Sequence, residues 1–142
     1  MKDKKKIYST IDGYFNFRNH IDKKRLVVAI YQRKDGALGV AKLYSEDDKV
    51  EKSSGLIIKD IKLSPSKHPS LNKETLVGNR VIYGRKDREG NFYRIMPNDL
   101  HDENDKLTRR EYRKIKRKIN ADTKQHKKTK KATHKKWKRF FR

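Results

Sequence analysis

The stretch KKRLVVAIYQRKDGALGVAKLYS, residues 23–45, indicates the fold class of this chain. An apolar run over 25–32 and a second, largely apolar run over 38–44 flank a Lys-Asp-Gly sequence at 34–36. Asp-Gly between two such runs is a strong β-hairpin signal, because glycine readily adopts the positive φ of tight turns. The sequence therefore predicts two antiparallel strands joined by a short turn.

Three further strands are predicted downstream, over 56–63, 76–83 and 92–96. A loop with two prolines at 64–70 and a charged turn at 85–91 separate them. Five short strands followed by one helix are typical of a small antiparallel barrel or a highly twisted sheet. Hydrophobic residues make up 32% of the chain, which is enough for one modest core.

The sequence LTRREY, residues 107–112, marks the start of a helix. Thr108 is predicted to cap the helix, with Glu111 as the reciprocal carboxylate and Leu107 packed on Tyr112. The apolar residues that follow at helical spacing are Tyr112, Ile115 and Ile119. This narrow apolar stripe predicts a helix that lies on the barrel.

The charge of +22 is unevenly distributed along the 142 residues. Residues 1–105 carry 22 basic and 16 acidic groups, net +6, whereas residues 106–142 carry 18 and 2, net +16. A polycation of this kind binds nucleic acid, an anionic membrane surface or an acidic protein. No apolar run approaches 18 residues, no signal peptide is evident and there is no cysteine. The default prediction is a cytoplasmic protein that acts on nucleic acid and does not enter a membrane.

The domain organisation follows from these patterns. Residues 1–20 form a basic leader whose aromatic residues either fold back onto the barrel or stack on bases. Residues 21–120 form the barrel with its C-terminal helix. Residues 121–142 form a polycationic tail, predicted to be disordered because residues 125–136 hold no aliphatic side chain larger than that of Ala132.

The chemistry predicted for this chain needs neither a metal nor a cofactor. No two histidines stand three or four residues apart, and no glycine-rich phosphate loop is present. The carboxylates of residues 99–105 are interpreted as capping and solubilising groups, with metal binding as the less favoured reading.

Metal-free cleavage of RNA remains possible, because RNA carries its own nucleophile, the 2′-hydroxyl. Such cleavage needs a base, an acid and cationic donors for the charge that develops on phosphorus. Arg25 and Ser45 lie about ten residues on either side of the turn, so a hairpin should bring them opposite each other. A planar guanidinium fits phosphate oxygens, and a hydroxyl can orient them. The alternative is that Arg25 is an exposed charge at the strand entrance and Ser45 a loop cap.

The pattern Lys-Lys-Arg-apolar-Val-Val-Ala-Ile, a turn, and Leu-Gly-Val-Ala-Lys-Leu-Tyr-Ser resembles the PemK/MazF growth-inhibiting toxins. The Leu-Thr-x-x-Glu start of the helix is also similar to that family, so the resemblance covers residues 23–120. It implies an SH3-like barrel, a homodimer, an antitoxin partner and metal-independent cleavage of single-stranded RNA. Within it, Arg25 and Ser45 take the catalytic positions, although Leu26 stands where the family has proline.

Two functions are therefore predicted, an endoribonuclease toxin and, as the alternative, a non-catalytic nucleic-acid-binding module of a plasmid, phage or ribosome-associated system. An active site should bring a second cation, such as Lys42, Arg80 or Arg85, close to Arg25 and Ser45. The tail is predicted to add affinity for phosphate rather than chemistry. The predicted nucleic-acid-binding residues are Lys23, Lys24, Lys42, Arg80, Arg85, Lys127, Lys128, Lys130, Lys131, Lys135, Lys136, Trp137, Lys138 and Arg139.

Overall fold

Antiparallel strands, one α-helix and a short 3₁₀ helix (Pro97–Asp99) make up the computed structural model, which describes residues 3–11, 14–17, 20–21, 24–45, 57–87 and 89–123. The strands are β1 (Lys6–Ser9), β2 (Asn16–Phe17), β3 (His20–Ile21), β4 (Leu26–Gln32), β5 (Leu38–Ser45), β6 (Ile57–Leu63), β7 (Thr75–Gly78), β8 (Gly84–Lys86), β9 (Phe92–Arg94) and β10 (His101–Lys106). The helix α1 covers residues 109–123. The protein is therefore mainly β with a helix after the last strand, as the sequence predicts.

Six strands form one sheet in the order β10-β1-β4-β5-β7-β6, and β2–β3 and β8–β9 form two small hairpins. Every pairing is antiparallel. The predicted turn between β4 and β5 is confirmed, with Gly36 at a φ of 93°. Closure of the sheet into a barrel stays a prediction, because the strand order ends at β10 and β6.

Apolar side chains cover both faces of this sheet. On one face, Tyr112, Ile115 and Ile119 of α1 pack with Val28 and Leu43 of the central hairpin. The other face carries a separate cluster made of Tyr8, Tyr14, Phe15, Val27, Ala29, Leu38, Val40 and Ile95. Tyr14 and Phe15 of the leader thus fold back onto the sheet, as one of the two sequence interpretations holds.

A β-bulge interrupts the ladder between β4 and β5. Val27 pairs with Lys42 and Ala29 with Val40, but Tyr31 pairs with Gly39, so Ile30 has no opposite residue on β5. A bulge of this kind shifts the register by one residue. The carbonyl of Ile30 accepts a buried hydrogen bond of 2.6 Å from the hydroxyl of Tyr112 in α1, so the helix is docked on the bulge.

The capping box of α1 is confirmed in both directions. The Thr108 N–H donates to Glu111 Oε1 at 2.8 Å, and the Glu111 N–H donates to Thr108 Oγ1 at 3.1 Å. Leu107 and Tyr112 are both buried in the cluster beneath the helix. Among the described residues, no helix has the length and apolar character needed to cross a membrane.

Other predicted strands differ from those observed. The strand predicted over 76–83 ends at Gly78, after which Ile82 bridges Val40 with hydrogen bonds of 2.8 and 2.9 Å. The predicted charged turn over 85–91 includes most of β8. Neither β1 nor β10 was predicted, because β1 is only four residues long and β10 has the wholly polar sequence HDENDK.

Candidate nucleic-acid interface

A groove of about 410 Å³ opens where β4, β5 and β7 meet the loop that follows β6. Leu26, Leu43 and Leu71 at its base belong to or pack on the cluster beneath α1, so the groove opens on the helix side of the sheet. Its lining residues are Lys24, Arg25, Leu26, Leu43, Ser45, Ser70, Leu71, Asn72, Lys73 and Thr75. Three cations and several hydroxyl or amide groups make this lining suitable for a phosphate.

Arg25 and Ser45 both line this groove, but their side chains point to opposite faces of the sheet. The Arg25 guanidinium stacks on the Tyr44 ring, with Cζ 4.8 Å from the ring centroid. Side chains alternate along a strand, so Ser45 shares a face with Leu43 and not with Tyr44. The bulge at Ile30 explains the difference from the predicted pair, because continuing the register of Val27 and Lys42 places Arg25 opposite Tyr44.

The other predicted cations occupy different environments. Lys24 is exposed and lines the groove, and Arg80 is exposed in the turn after β7. Lys42 is buried, with its Nζ 4.9 Å from the centroid of the Phe15 ring. Arg85 lies between two tyrosine rings rather than in the groove lining. Lys23 and the tail residues Lys127, Lys128, Lys130, Lys131, Lys135, Lys136, Trp137, Lys138 and Arg139 lie outside the described residues.

Five cations lie close together on the exposed side of α1. Arg109, Arg110, Arg113, Lys114 and Arg117 are exposed and line an open recess of about 350 Å³. We call these five residues the basic helix face. The sequence-based prediction concerned only the buried stripe of this helix, but the spacing of Arg109, Arg113 and Arg117 by four residues also indicates a basic face.

Two aromatic residues are exposed at positions that the sequence did not predict to be on the surface. Phe92 and Tyr93 of β9 are 64% and 45% exposed. The only other exposed large hydrophobic residue in the described part of the chain is Ile11. Adjacent aromatic residues in a predicted strand carry no signal that tells a core position from a surface position, so only the folded hairpin identified them.

A buried ionic cluster joins the loop after β6 to β10 and α1. His68, only 1% exposed, has Nδ1 3.1 Å from Asp105 Oδ1 and Nε2 3.0 Å from both carboxylate oxygens of Glu111. Burial alone would lower the pKa of His68, but the hydrogen bonds and charges of Glu111 and Asp105 outweigh it, so the pKa is raised. The Ser70 N–H and hydroxyl donate to Asp105 Oδ2 at 3.2 and 2.6 Å.

The pKa values of the two carboxylates in this cluster shift in the opposite direction to that of His68. Burial would raise the pKa of Asp105, but hydrogen bonds from Ser70 and His68 hold it below its usual value. The pKa of Glu111 is likewise lowered despite burial, by hydrogen bonds from the Thr108 N–H and His68. A carboxylate oxygen lies within hydrogen-bond distance of each ring nitrogen of His68, an arrangement that favours the protonated ring, and the cluster fixes the loop that forms one wall of the groove.

No family model, curated protein or solved structure matches this chain. The resemblance to the PemK/MazF toxins therefore rests on the residues of the central hairpin and the helix start.

Proposed function

We propose that this protein binds RNA through the basic helix face and the neighbouring groove. The observation that carries the proposal is the set of five cations on one side of α1, of which none is within ion-pair distance of a carboxylate across the described residues. A surface that only promotes solubility usually interleaves both signs of charge. The five cations of this face are therefore available to bind a negatively charged ligand.

Neither acidic residue of α1 neutralises this face, since Asp122 forms none of the ion pairs found among the described residues. Glu111 turns inward, where it accepts hydrogen bonds from His68 and from the Thr108 N–H. Four of the five cations on the face are arginines, whose planar guanidinium groups bind phosphate oxygens in a bidentate manner. A polyphosphate backbone therefore suits this face better than a surface of scattered carboxylates does.

The groove is a second basic surface on the same side of the sheet as α1. It opens on the helix side of the sheet and carries Lys24, Asn72 and Lys73 at its rim.

The proposal includes the finer features that the resemblance implies, namely an SH3-like barrel, a homodimer, an antitoxin and a cytoplasmic location. The apolar residues of both sheet faces are largely buried within a single chain, so the homodimer rests on the resemblance alone.

The proposal predicts tight, salt-sensitive binding of single-stranded RNA by the full chain. Each phosphate contact to a single strand contributes about 0.7 to the slope of log affinity against log salt, so five contacts give a slope of about −3.5 or steeper. Fluorescence anisotropy of a labelled oligoribonucleotide between low and moderate salt measures this slope. Polyglutamate of equal charge is the control, and equal affinity for both polymers would contradict RNA recognition.

Cleavage of RNA is the second candidate function: Arg25 lines the groove as a candidate cation for the phosphoryl oxygens, although it does not form the facing pair with Ser45 that the sequence predicted. In such a reaction the 2′-oxygen bonds to phosphorus as its proton passes to a base. The 5′-oxygen leaves with a proton from an acid, which produces a cyclic phosphate. Arg25 would stabilise the charge on the phosphoryl oxygens after leaving the Tyr44 ring.

If the groove cleaves RNA, Arg25→Ala should lower the cleavage rate about 100-fold or more, the usual effect of removing one transition-state donor. Arg33→Ala is the matched control, because the Arg33 guanidinium also stacks on a tyrosine, at 4.5 Å from the Tyr83 ring, outside the groove. Growth and RNA integrity are scored together after expression. Intact RNA in cells that express the wild type would leave binding without cleavage as the function.

A further inference from the structure

The β8–β9 hairpin presents aromatic and cationic side chains in alternation. Arg85 pairs with Tyr93 on one side of this two-stranded ribbon, and Lys86 pairs with Phe92 on the other. Gly84 pairs with Arg94 on the same side as Lys86 and Phe92, because strand side chains alternate. Each side of the hairpin therefore combines one exposed aromatic ring with at least one cation.

The Phe92 ring lies directly on Gly84. A β-carbon added at Gly84 would come within 2.0 Å of Phe92 Cζ and within 2.8 Å of two further ring carbons. The ring thus fills the space that any other residue at position 84 would occupy, and its far side is left to solvent, in keeping with its 64% exposure. Glycine at this position is what lets a rigid, flat and open aromatic surface form.

Neighbouring charges hold this surface in place. Arg94 Nη1 donates to Asp35 Oδ2 at 2.6 Å, which ties β9 to the turn between β4 and β5. On the other side, the Arg85 guanidinium lies 4.5 Å from the centroid of the buried Tyr14 ring and 5.0 Å from that of Tyr93. Both aromatic residues are therefore oriented before any ligand arrives, which lowers the entropic cost of stacking.

We propose that Phe92 is a base-stacking site for unpaired nucleotides, with Tyr93 as a second exposed ring on the opposite side of the hairpin, and this proposal rests on the RNA binding proposed above. A nucleobase stacks on an open ring face, and the exposed cation Lys86 beside the ring matches the phosphate of the nucleotide, whereas Arg94 is already paired with Asp35. A second copy of the chain is a poorer occupant, because the two rings lie on opposite sides of the hairpin and form no continuous apolar area. The basic helix face supplies charge contacts, and this hairpin supplies contacts to bases.

The test compares a single-stranded oligoribonucleotide with a duplex of the same length, because a duplex keeps its bases stacked on each other. Phe92→Ala should weaken binding of the single strand roughly 5- to 150-fold while duplex binding and the salt slope stay unchanged. Phe92→Leu, which retains apolar area without a π face, should lose nearly as much. Gly84→Ala should also weaken single-strand binding, because its methyl group displaces the ring.

Ile11→Ala is the matched control, since Ile11 is 68% exposed and apolar but not aromatic. Equal loss on both RNAs, or no loss with Phe92→Ala, would overturn the stacking site while salt-dependent RNA binding by the wild type remains. A wild type that binds no RNA would instead overturn the proposed function together with this inference. Dimers that dissociate on Phe92→Ala, measured by sedimentation, would show a protein interface and also overturn the proposal.

Discussion

Replacing His68 with glutamine is expected to lower the free energy of unfolding by about 3–5 kcal/mol. The substitution removes the positive charge that Asp105 and Glu111 share, and those two side chains are only 7% and 17% exposed. Two carboxylates then face each other with little water to screen them. Because small domains are stable by only about 5–15 kcal/mol, this would be the most damaging of the changes considered.

The same cluster predicts a characteristic dependence of stability on pH. The pKa of His68 is raised in the folded state, so its contribution is fully present below about pH 6.5 and is lost as the pH rises through the raised value. The pKa values of Asp105 and Glu111 are lowered, so their contributions are present above about pH 4 and are lost on acidification. Stability from this cluster should therefore be greatest at weakly acidic pH.

Urea unfolding at about pH 5.5 and about pH 9 measures both effects. The wild type should be more stable at the lower pH, and His68→Gln should remove most of that difference as well as the stability itself. His101→Gln is the matched control, because His101 is exposed on β10 and should leave the urea midpoint nearly unchanged. A wild type whose stability rises between these two pH values would contradict a histidinium at position 68.

Substituting Arg109, Arg113 and Arg117 together by glutamine is expected to weaken RNA binding about 100-fold at 0.1 M salt. Three phosphate contacts at about 0.7 each reduce log affinity by about 2 under those conditions, and the salt slope should flatten by the same amount. Glutamine is a good helix former, so α1 should keep its structure at these exposed positions.

The control for this variant carries the same change of charge elsewhere. Lys34, Lys67 and Lys106 are exposed and lie outside α1, so replacing them with glutamine tests the effect of net charge alone. Anisotropy titrations at several salt concentrations and circular dichroism of both variants complete the experiment. Equal losses in the two triple variants would show that RNA responds to total charge and not to the basic helix face.

Local signals were sufficient for much of the fold. The apolar runs and the Asp35-Gly36 turn predicted β4 and β5 within a residue or two, because a tight turn and its flanking strands depend on neighbouring residues. The capping box predicted the start of α1 because Thr108 and Glu111 satisfy each other's backbone groups within a single turn. The basic helix face was also readable in principle, since its spacing is local.

The sequence did not predict contacts between residues that are far apart along the chain. Strand β10 contains no apolar residue, and it pairs with β1 almost a hundred residues earlier in the chain. His68 reads as a loop residue between two prolines until folding brings it between Asp105 and Glu111. The position of the exposed Phe92 ring depends on Gly84 of the partner strand, because any side chain there would displace the ring.

The predicted pairing of Arg25 with Ser45 depends partly on local sequence and partly on tertiary contacts. The sequence by itself determined that both residues stand at the open end of one hairpin, and the register next to the turn, Gln32 with Leu38, would place them opposite each other. The bulge at Ile30 shifts that register by one residue, and the Tyr112 hydroxyl on α1 satisfies the bulged carbonyl. Because strand side chains alternate with a period of two, that one residue turns Arg25 toward Tyr44 and away from Ser45, and only the tertiary structure shows this shift.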